Sequence, residues 1–263
     1  MPTIYAFANQ KGGVAKTTTA VNIAAYLAAR ESRVLLVDMD PQANATSSLG
    51  VDKHAPVYSV YNALVENHPL DQIVMLTKRL HLDLIPSSPS LAGAEIELVS
   101  TENREHCLKQ LLEPIASRYD YILIDSPPSL GLLTVNALVA ANAVVIPIQC
   151  EYLALEGVTE LLNTIRLVQN GLNPRLRVAG MAMTMFDSRT QLSIEVVEQI
   201  AKKFPDLIFH AVVPRSVRVA LAPSYGEPLV SFDPGSRGAK AYEELTKELL
   251  EREKTQKAAS SRQ

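Results

Sequence analysis

The sequence has only two cysteines, Cys107 and Cys150, and they lie far apart. They form no metal-type spacing and no disulfide framework, so they read as reduced thiols of an intracellular chain. The five histidines (His54, His68, His81, His106 and His210) are scattered, with no zinc-like pair among them. No segment approaches the roughly 20 consecutive apolar residues of a membrane span. The N-terminus lacks the basic region, apolar core and cleavage site of an export signal, so none is expected. Positive charge is not in excess either, since 263 residues carry a formal net charge of −3. A bulk polycation is excluded, and any nucleic-acid binding would need a local patch.

What is present suits one sizeable globular unit: 47% of residues are hydrophobic and 20% charged. We expect a single domain over 1–250 and a polar, disordered tail over 251–263. Short apolar runs at 3–9, 33–40, 82–87, 120–127, 143–149, 178–185 and 207–213 are continuous rather than alternating. That marks strands buried on both faces. Helical stretches are expected near 16–30, 104–117, 131–141, 154–170, 190–203 and 238–252, and the stretch 86–95 reads as a loop. The alternation predicts an α/β fold: a doubly wound, mostly parallel sheet with helices on both faces, of the P-loop NTPase kind. Ligands of such sheets bind beyond the carboxyl ends of the strands.

The first run is followed by 8-ANQKGGVAKTTTA-20. Strand, Gly-containing loop and helix form the context in which a phosphate-binding loop is credible. The backbone of Gly12, Gly13, Val14, Ala15, Lys16, Thr17 and Thr18 would cradle phosphate oxygens. Lys16 would hold the β and γ phosphates, and the Thr17 hydroxyl would ligate magnesium. The standard pattern has Gly where Ala15 stands. If that position needs φ > 0, Ala costs on the order of 1 kcal/mol. If it enters the helix in right-handed space, Ala costs little.

Two further strands end in carboxylates. In 33-RVLLVDMDPQ-42, Asp38 and Asp40 are two apart and share one face at the strand's carboxyl end. In 120-DYILIDSPP-128, an apolar strand delivers Asp125 to its tip, the arrangement that holds a magnesium ion in phosphoryl-transfer sites.

The pattern K-G-G-x-x-K-[ST], with D-x-D-P-Q and the strand ending in Asp125, resembles the deviant Walker A, MinD-like ATPases. Over residues 1–250 the chain is most similar to the ParA/Soj chromosome- and plasmid-partition ATPases. That resemblance implies ATP/ADP and Mg2+ as cofactors and an ATP-dependent sandwich homodimer. Lys11 would then reach the partner's phosphates, with Lys16 acting within its own chain. Asp38 would belong to the magnesium and phosphate-sensing shell together with Thr17 and Asp125. Asp40 would orient the attacking water, making Lys11, Lys16 and Asp40 the catalytic set. Residues 42–50 would form a first switch, where Ala43 replaces the usual Gly, and 129–138 a second. The segment 211–229 resembles the family's P-R-N-V-R stretch, which gives Pro214 and Ser216 as base contacts, Ser standing for the usual Asn. Arg189 and Arg218 fall where such proteins carry DNA-contacting arginines, and Lys202 and Lys203 lie nearby in sequence.

The resemblance further implies slow ATP hydrolysis stimulated by a ParB-type centromere-binding partner, non-specific double-stranded DNA binding, and a cytoplasmic, nucleoid-associated place in the cell. Sister groups fit less well. The tail 251–263 has no Leu, Ile, Val, Phe or Trp, so the amphipathic membrane anchor of MinD-type regulators is missing. The cysteines do not match the cluster-binding pair of nitrogenase-type iron proteins, and Tyr242 alone follows Tyr225, against the tyrosine cluster of autokinases. The alternative reading is a nucleotide-binding scaffold that positions a partner with little or no hydrolysis, and Ala15 is its main support.

Overall fold

The computed structural model describes residues 1–152 and 154–260. The elements follow in the order β1 (Thr3–Phe7), α1 (Lys16–Ala28), β2 (Val34–Asp38), α2 (Asn44–Ser48), α3 (Val60–Glu66), β3 (Met75–Leu76), β4 (Leu82–Ile85), α4 (Leu91–Glu97) and α5 (Cys107–Leu112). The second half continues with β5 (Tyr121–Asp125), α6 (Leu132–Ala140), β6 (Ala143–Gln149), α7 (Ala154–Gly171), β7 (Arg177–Thr184), α8 (Gln191–Lys203), α9 (Val217–Leu221), α10 (Leu229–Phe232) and α11 (Arg237–Ser260). The seven strands form one sheet in the order β3-β4-β2-β5-β1-β6-β7. Every pairing is parallel except that of β3 with β4.

Strand residues alternate between two apolar layers, as the two-residue side-chain period requires. Leu35, Val37, Ile122 and Ile124 point into a layer closed by the helices from α3 to α8. Val34, Leu36, Tyr5 and Phe7 point into the other, closed chiefly by α1 and α11. With both faces covered, the strands are apolar at successive positions, which is why they appear as unbroken runs in the sequence. The doubly wound, mostly parallel sheet is the expected fold.

Several local expectations are corrected. The run at 207–213 does not form a strand. It meets β7 at an isolated bridge, Met181 with Ile208, and where the Val213 amide donates to the Met183 carbonyl at 2.9 Å; a second bridge joins Phe186 to Pro214 just beyond both segments. Between them the amides of His210 and Ala211 donate to the Glu248 carboxylate of α11 at 2.8–3.1 Å, so a side chain takes the place of a sheet neighbour. The expected loop 86–95 contains the start of α4, and the helix expected over 104–117 is reduced to α5 with a short 3-10 turn on either side.

The largest correction concerns the tail. Instead of ending near 250, α11 continues to Ser260; residues 261–263 lie outside the described residues. The polar composition of 251–260 conceals specific anchors. Glu253 is 3% exposed and accepts hydrogen bonds from Thr3 Oγ1 at 2.5 Å and Tyr5 Oη at 3.2 Å. Lys257 pairs with the same carboxylate at 2.5 Å. Arg252 donates to the carbonyls of Asp206, Leu207 and Ile208 and stacks on Phe209. These polar side chains pin the helix to the start of β1 and to the segment after α8.

Candidate functional site

At the carboxyl end of β1 the chain turns through a loop whose geometry is fixed by side chains around it. Asn9 donates to the Pro147 carbonyl at 2.7 Å and accepts the Lys11 amide at 3.0 Å. Thr184, at the end of β7, donates to the Val14 carbonyl at 3.0 Å. The amides from Gly12 through Thr18 donate no hydrogen bond among the described residues. Backbone donors left in this state require an external acceptor. The first turn of α1 holds no acidic residue of its own to offset the positive end of the helix dipole. The loop is thus built for an anion.

Gly13 and Ala15 both take left-handed conformations, φ +75° and φ 62°. Only the first is glycine, so the question left open by the sequence is resolved toward the costly alternative. The second departure from the family pattern, Ala43, has the same geometry at φ 55° and is fully buried.

A cavity of about 380 Å³ opens over this loop. Gly12, Gly13, Ala15, Lys16, Thr17 and Thr18 form its floor. Asp40 and residues around α2 form one wall, and Pro128 contributes from the loop after β5. The opposite wall is Met185 and Pro223. Pro214 and Ser216 do not line it, because the Arg215 amide binds the Phe186 carbonyl and holds that segment just beyond Met185. Val14 is buried beneath the loop, facing away from the cavity.

Lys16 is 6% exposed. Burial lowers the pKa of its ammonium, while Asp125 and Asp40 pull in the opposite direction. Asp38 and Asp125 stand opposite each other in register on β2 and β5, both fully buried behind the cavity. Their surroundings differ. Asp38 accepts Thr46 N and Oγ1 at 2.8 and 2.7 Å, and Asp40 N at 3.2 Å. Neither oxygen of Asp125 has a hydrogen-bond partner. The Thr17 hydroxyl favours its charged form without reaching hydrogen-bond geometry. Burial, then the neighbouring Asp38, raises the Asp125 pKa well above the carboxylate range. Burial likewise pushes Asp38 up to about 6 against its hydrogen bonds.

An unpartnered buried carboxylate beside a hydroxyl and a phosphate-type loop fits a divalent cation. Asp125 and Thr17 are the groups free to hold it, whereas the Asp38 oxygens are already occupied by protein donors. Asp40 accepts the Gln42 amide on Oδ1 at 3.0 Å and borders the cavity. Thr46 and Ser87, which the sequence reading missed, complete this region. Ser87 donates its amide to Thr46 Oγ1 at 3.0 Å and its hydroxyl to the Asp40 carbonyl at 2.7 Å. No motif flagged them; only the hydroxyls close to the aspartate strand in 44-NATSS-48 and 87-SSPS-90 could have suggested their role.

Lys11 does not line the cavity. Its ammonium is half-exposed and lies 3.5 Å from Glu151. The remaining basic candidates fall into two groups. Arg189 is exposed and forms a two-pronged pair with Asp187 at 2.8 and 2.6 Å. Arg218 pairs with Asp233 at 3.2 Å. The segments carrying these arginines are joined where Phe186 meets Pro214, and Arg215, not anticipated from the sequence, is exposed between them. Lys202 and Lys203 end α8, which begins just after Arg189 and runs for roughly 20 Å at 1.5 Å per residue. The structure therefore separates the lysines from the arginines.

Among the described residues, no helix is long and apolar enough to cross a membrane. A family model described as an AAA domain matches residues 2–178. The sporulation initiation inhibitor protein Soj of Bacillus subtilis is 54% identical over 249 residues, covering 95% of this chain and 98% of that protein. The chromosome partitioning protein ParA of Myxococcus xanthus is 49% identical, covering 95% and 88%. Among solved structures, a Mycobacterium smegmatis protein titled cobyrinic acid a,c-diamide synthase, with bound ADP and magnesium, superposes with a TM-score of 0.85. It is 39% identical, and the match covers 97% of this chain and 96% of that one. On these relationships and on the loop and aspartate strands just described, this chain belongs to the ParA/Soj family of chromosome-partitioning ATPases.

Proposed function

We propose that this protein is a partition ATPase in which ATP and magnesium drive a sandwich dimer that binds DNA without sequence specificity, and in which hydrolysis releases it. The observation that carries this reading is the meeting, in one cavity, of unpaired loop amides and Lys16 with Asp40, backed by the unpartnered Asp125. The amides and Lys16 would hold the phosphates. Thr17 and Asp125 would hold magnesium, which neutralises phosphate charge when bound. Asp40 would orient the attacking water from the cavity wall.

Dimerisation is supported by Lys11. Its ammonium stays outside its own cavity and is held by one solvent-exposed pair, which is energetically weak. Exchanging Glu151 for a partner's phosphates is therefore affordable for Lys11. Arg189 and Arg218, with Arg215 between them, supply exposed guanidinium groups for DNA phosphates. Doubling this patch on dimerisation explains how a chain of net charge −3 could bind DNA only in one nucleotide state. A ParB-type partner would accelerate an intrinsically slow hydrolysis, and the protein would work in the cytoplasm on the nucleoid.

Retention on DNA under ATP, ADP and no nucleotide tests this reading. Retention is expected with ATP alone and should vanish in Arg189→Ala/Arg218→Ala while nucleotide binding persists. Equal retention in all three states would exclude the switch. The second reading, a scaffold with little hydrolysis, draws on the left-handed Ala15 at the mouth of the phosphate loop. It predicts no phosphate release from either the native protein or Ala15→Gly, even with a cognate partner.

A further inference from the structure

The backbone of Asp40 is held by a closed ring of hydrogen bonds. Its amide donates to Asp38 Oδ1 at 3.2 Å. The other oxygen of Asp38 takes both the amide and the hydroxyl of Thr46. Thr46 Oγ1 accepts the Ser87 amide, and the Ser87 hydroxyl returns to the Asp40 carbonyl. Asp38, Thr46 and Ser87 are fully buried, and Asp40 is 6% exposed. The ring spans three separate parts of the chain: the end of β2, the middle of α2 and the segment leaving β4.

We propose that Thr46 and Ser87 are positioning residues for hydrolysis, fixing the main chain on both sides of Asp40 so that its carboxylate keeps one direction toward the cavity. This rests on the reading that the cavity hydrolyses ATP. Three features carry it. Asp40 Oδ1 is taken by the Gln42 amide, and its other oxygen has no hydrogen bond among the described residues. The side chain is therefore steered by its backbone and by this one short turn. Thr46 uses both functions of its hydroxyl, donating to Asp38 and accepting from Ser87, which no aliphatic residue can reproduce. In this dry setting, removing the Thr46 hydroxyl leaves the buried Ser87 amide unpaired, and removing the Ser87 hydroxyl leaves the Asp40 carbonyl held by the Ala43 amide alone. A second consequence is that Asp38 acts as the ring's keystone, through its contacts with Thr46 and Asp40.

The test compares Thr46→Val, Thr46→Ser and Ser87→Ala with the native protein by steady-state hydrolysis of magnesium-ATP, equilibrium nucleotide binding, thermal unfolding, and hydrogen exchange at the Asp40, Gln42 and Ala43 amides. Thr46→Val and Ser87→Ala should lower kcat by roughly ten- to a hundredfold, the scale of a small misplacement of a reacting group. KM and nucleotide affinity should stay within about threefold, the exchange of those amides should quicken, and Thr46→Ser should restore kcat. Unchanged kcat in both Thr46→Val and Ser87→Ala, or equal loss in Thr46→Val and Thr46→Ser, would overturn the proposal. If Thr46→Val does not fold, Ser87→Ala alone decides by the same kcat and exchange readouts. If the native protein binds nucleotide but releases no phosphate, the hydrolytic reading fails, and unaltered amide exchange in the variants would separately refute the ring.

Discussion

Asp38 and Asp125 are register partners on adjacent parallel strands, yet Asp38 accepts three hydrogen bonds and Asp125 none. The sheet places two carboxylates at the same depth and then gives them different work. Asp38 ties α2 to the end of β2, and Asp125 is left without a protein donor.

This contrast predicts a pH dependence. Asp125 titrates near about 4 in an unfolded chain and much higher when folded. The folded form therefore binds its proton more tightly. For the nucleotide- and cation-free protein, this contribution to stability falls as pH rises from about 4 through the raised folded value. Asp125→Asn carries no charge, so it should raise Tm at pH 8 and by less at pH 5, at roughly 2–4 °C per kcal/mol. Thermal scans across this range check it, and parallel profiles for the two proteins would speak against a neutral buried Asp125.

Ala15 and Ala43 both occupy left-handed backbone, at φ 62° and 55°. Ala pays about 1–2 kcal/mol there, partly offset by the smaller entropy of its unfolded chain. Ala15→Gly and Ala43→Gly should each stabilise the protein by about 0.5 kcal/mol, read as a small rise in the denaturation midpoint. Destabilisation by either would mean that the methyl group contributes packing that outweighs its strain.

The end of α11 should contribute to stability well beyond its composition. Burial alone would raise the Glu253 carboxyl, but hydrogen bonds from Lys257 and Thr3 outweigh it and hold the group below its usual range. A depressed folded pKa gives stability that is present above the unfolded value and lost as pH falls through the folded one. Glu253→Ala should cost about 2–3 kcal/mol, a Tm loss of roughly 4–12 °C. Ending the chain at residue 250 should cost at least as much. An unchanged Tm in the shortened protein would contradict the anchoring described here.

The parts legible in the sequence were those governed by local pattern. β2 and β5 announced themselves because burial on both faces removes polar residues from the strand, and Asp38, Asp40 and Asp125 stood out as charges ending such runs. The loop at Gly12–Thr18 has a motif because phosphate geometry dictates residue types at fixed offsets. What escaped depends on distant partners. Thr46 and Ser87 are ordinary hydroxyls until the sheet brings α2 beside the end of β4. The run at 207–213 has strand composition, but Glu248 of α11, far along the chain, takes the amides of His210 and Ala211 in its middle. The polar stretch 251–260 looks solvated until Glu253 meets Thr3 and Tyr5. The left-handed turn at Ala15 was undecided because alanine itself gives no sign of positive φ.

The central claim is that this cavity hydrolyses ATP with Asp40 directing the water, and the most direct measurement is phosphate release from magnesium-ATP by the native protein and by Asp40→Ala, each with its nucleotide occupancy determined. We expect the native protein to turn over repeatedly, and Asp40→Ala to keep ATP bound while release falls by about a hundredfold or more. Equal release from the two proteins at equal occupancy would contradict the account.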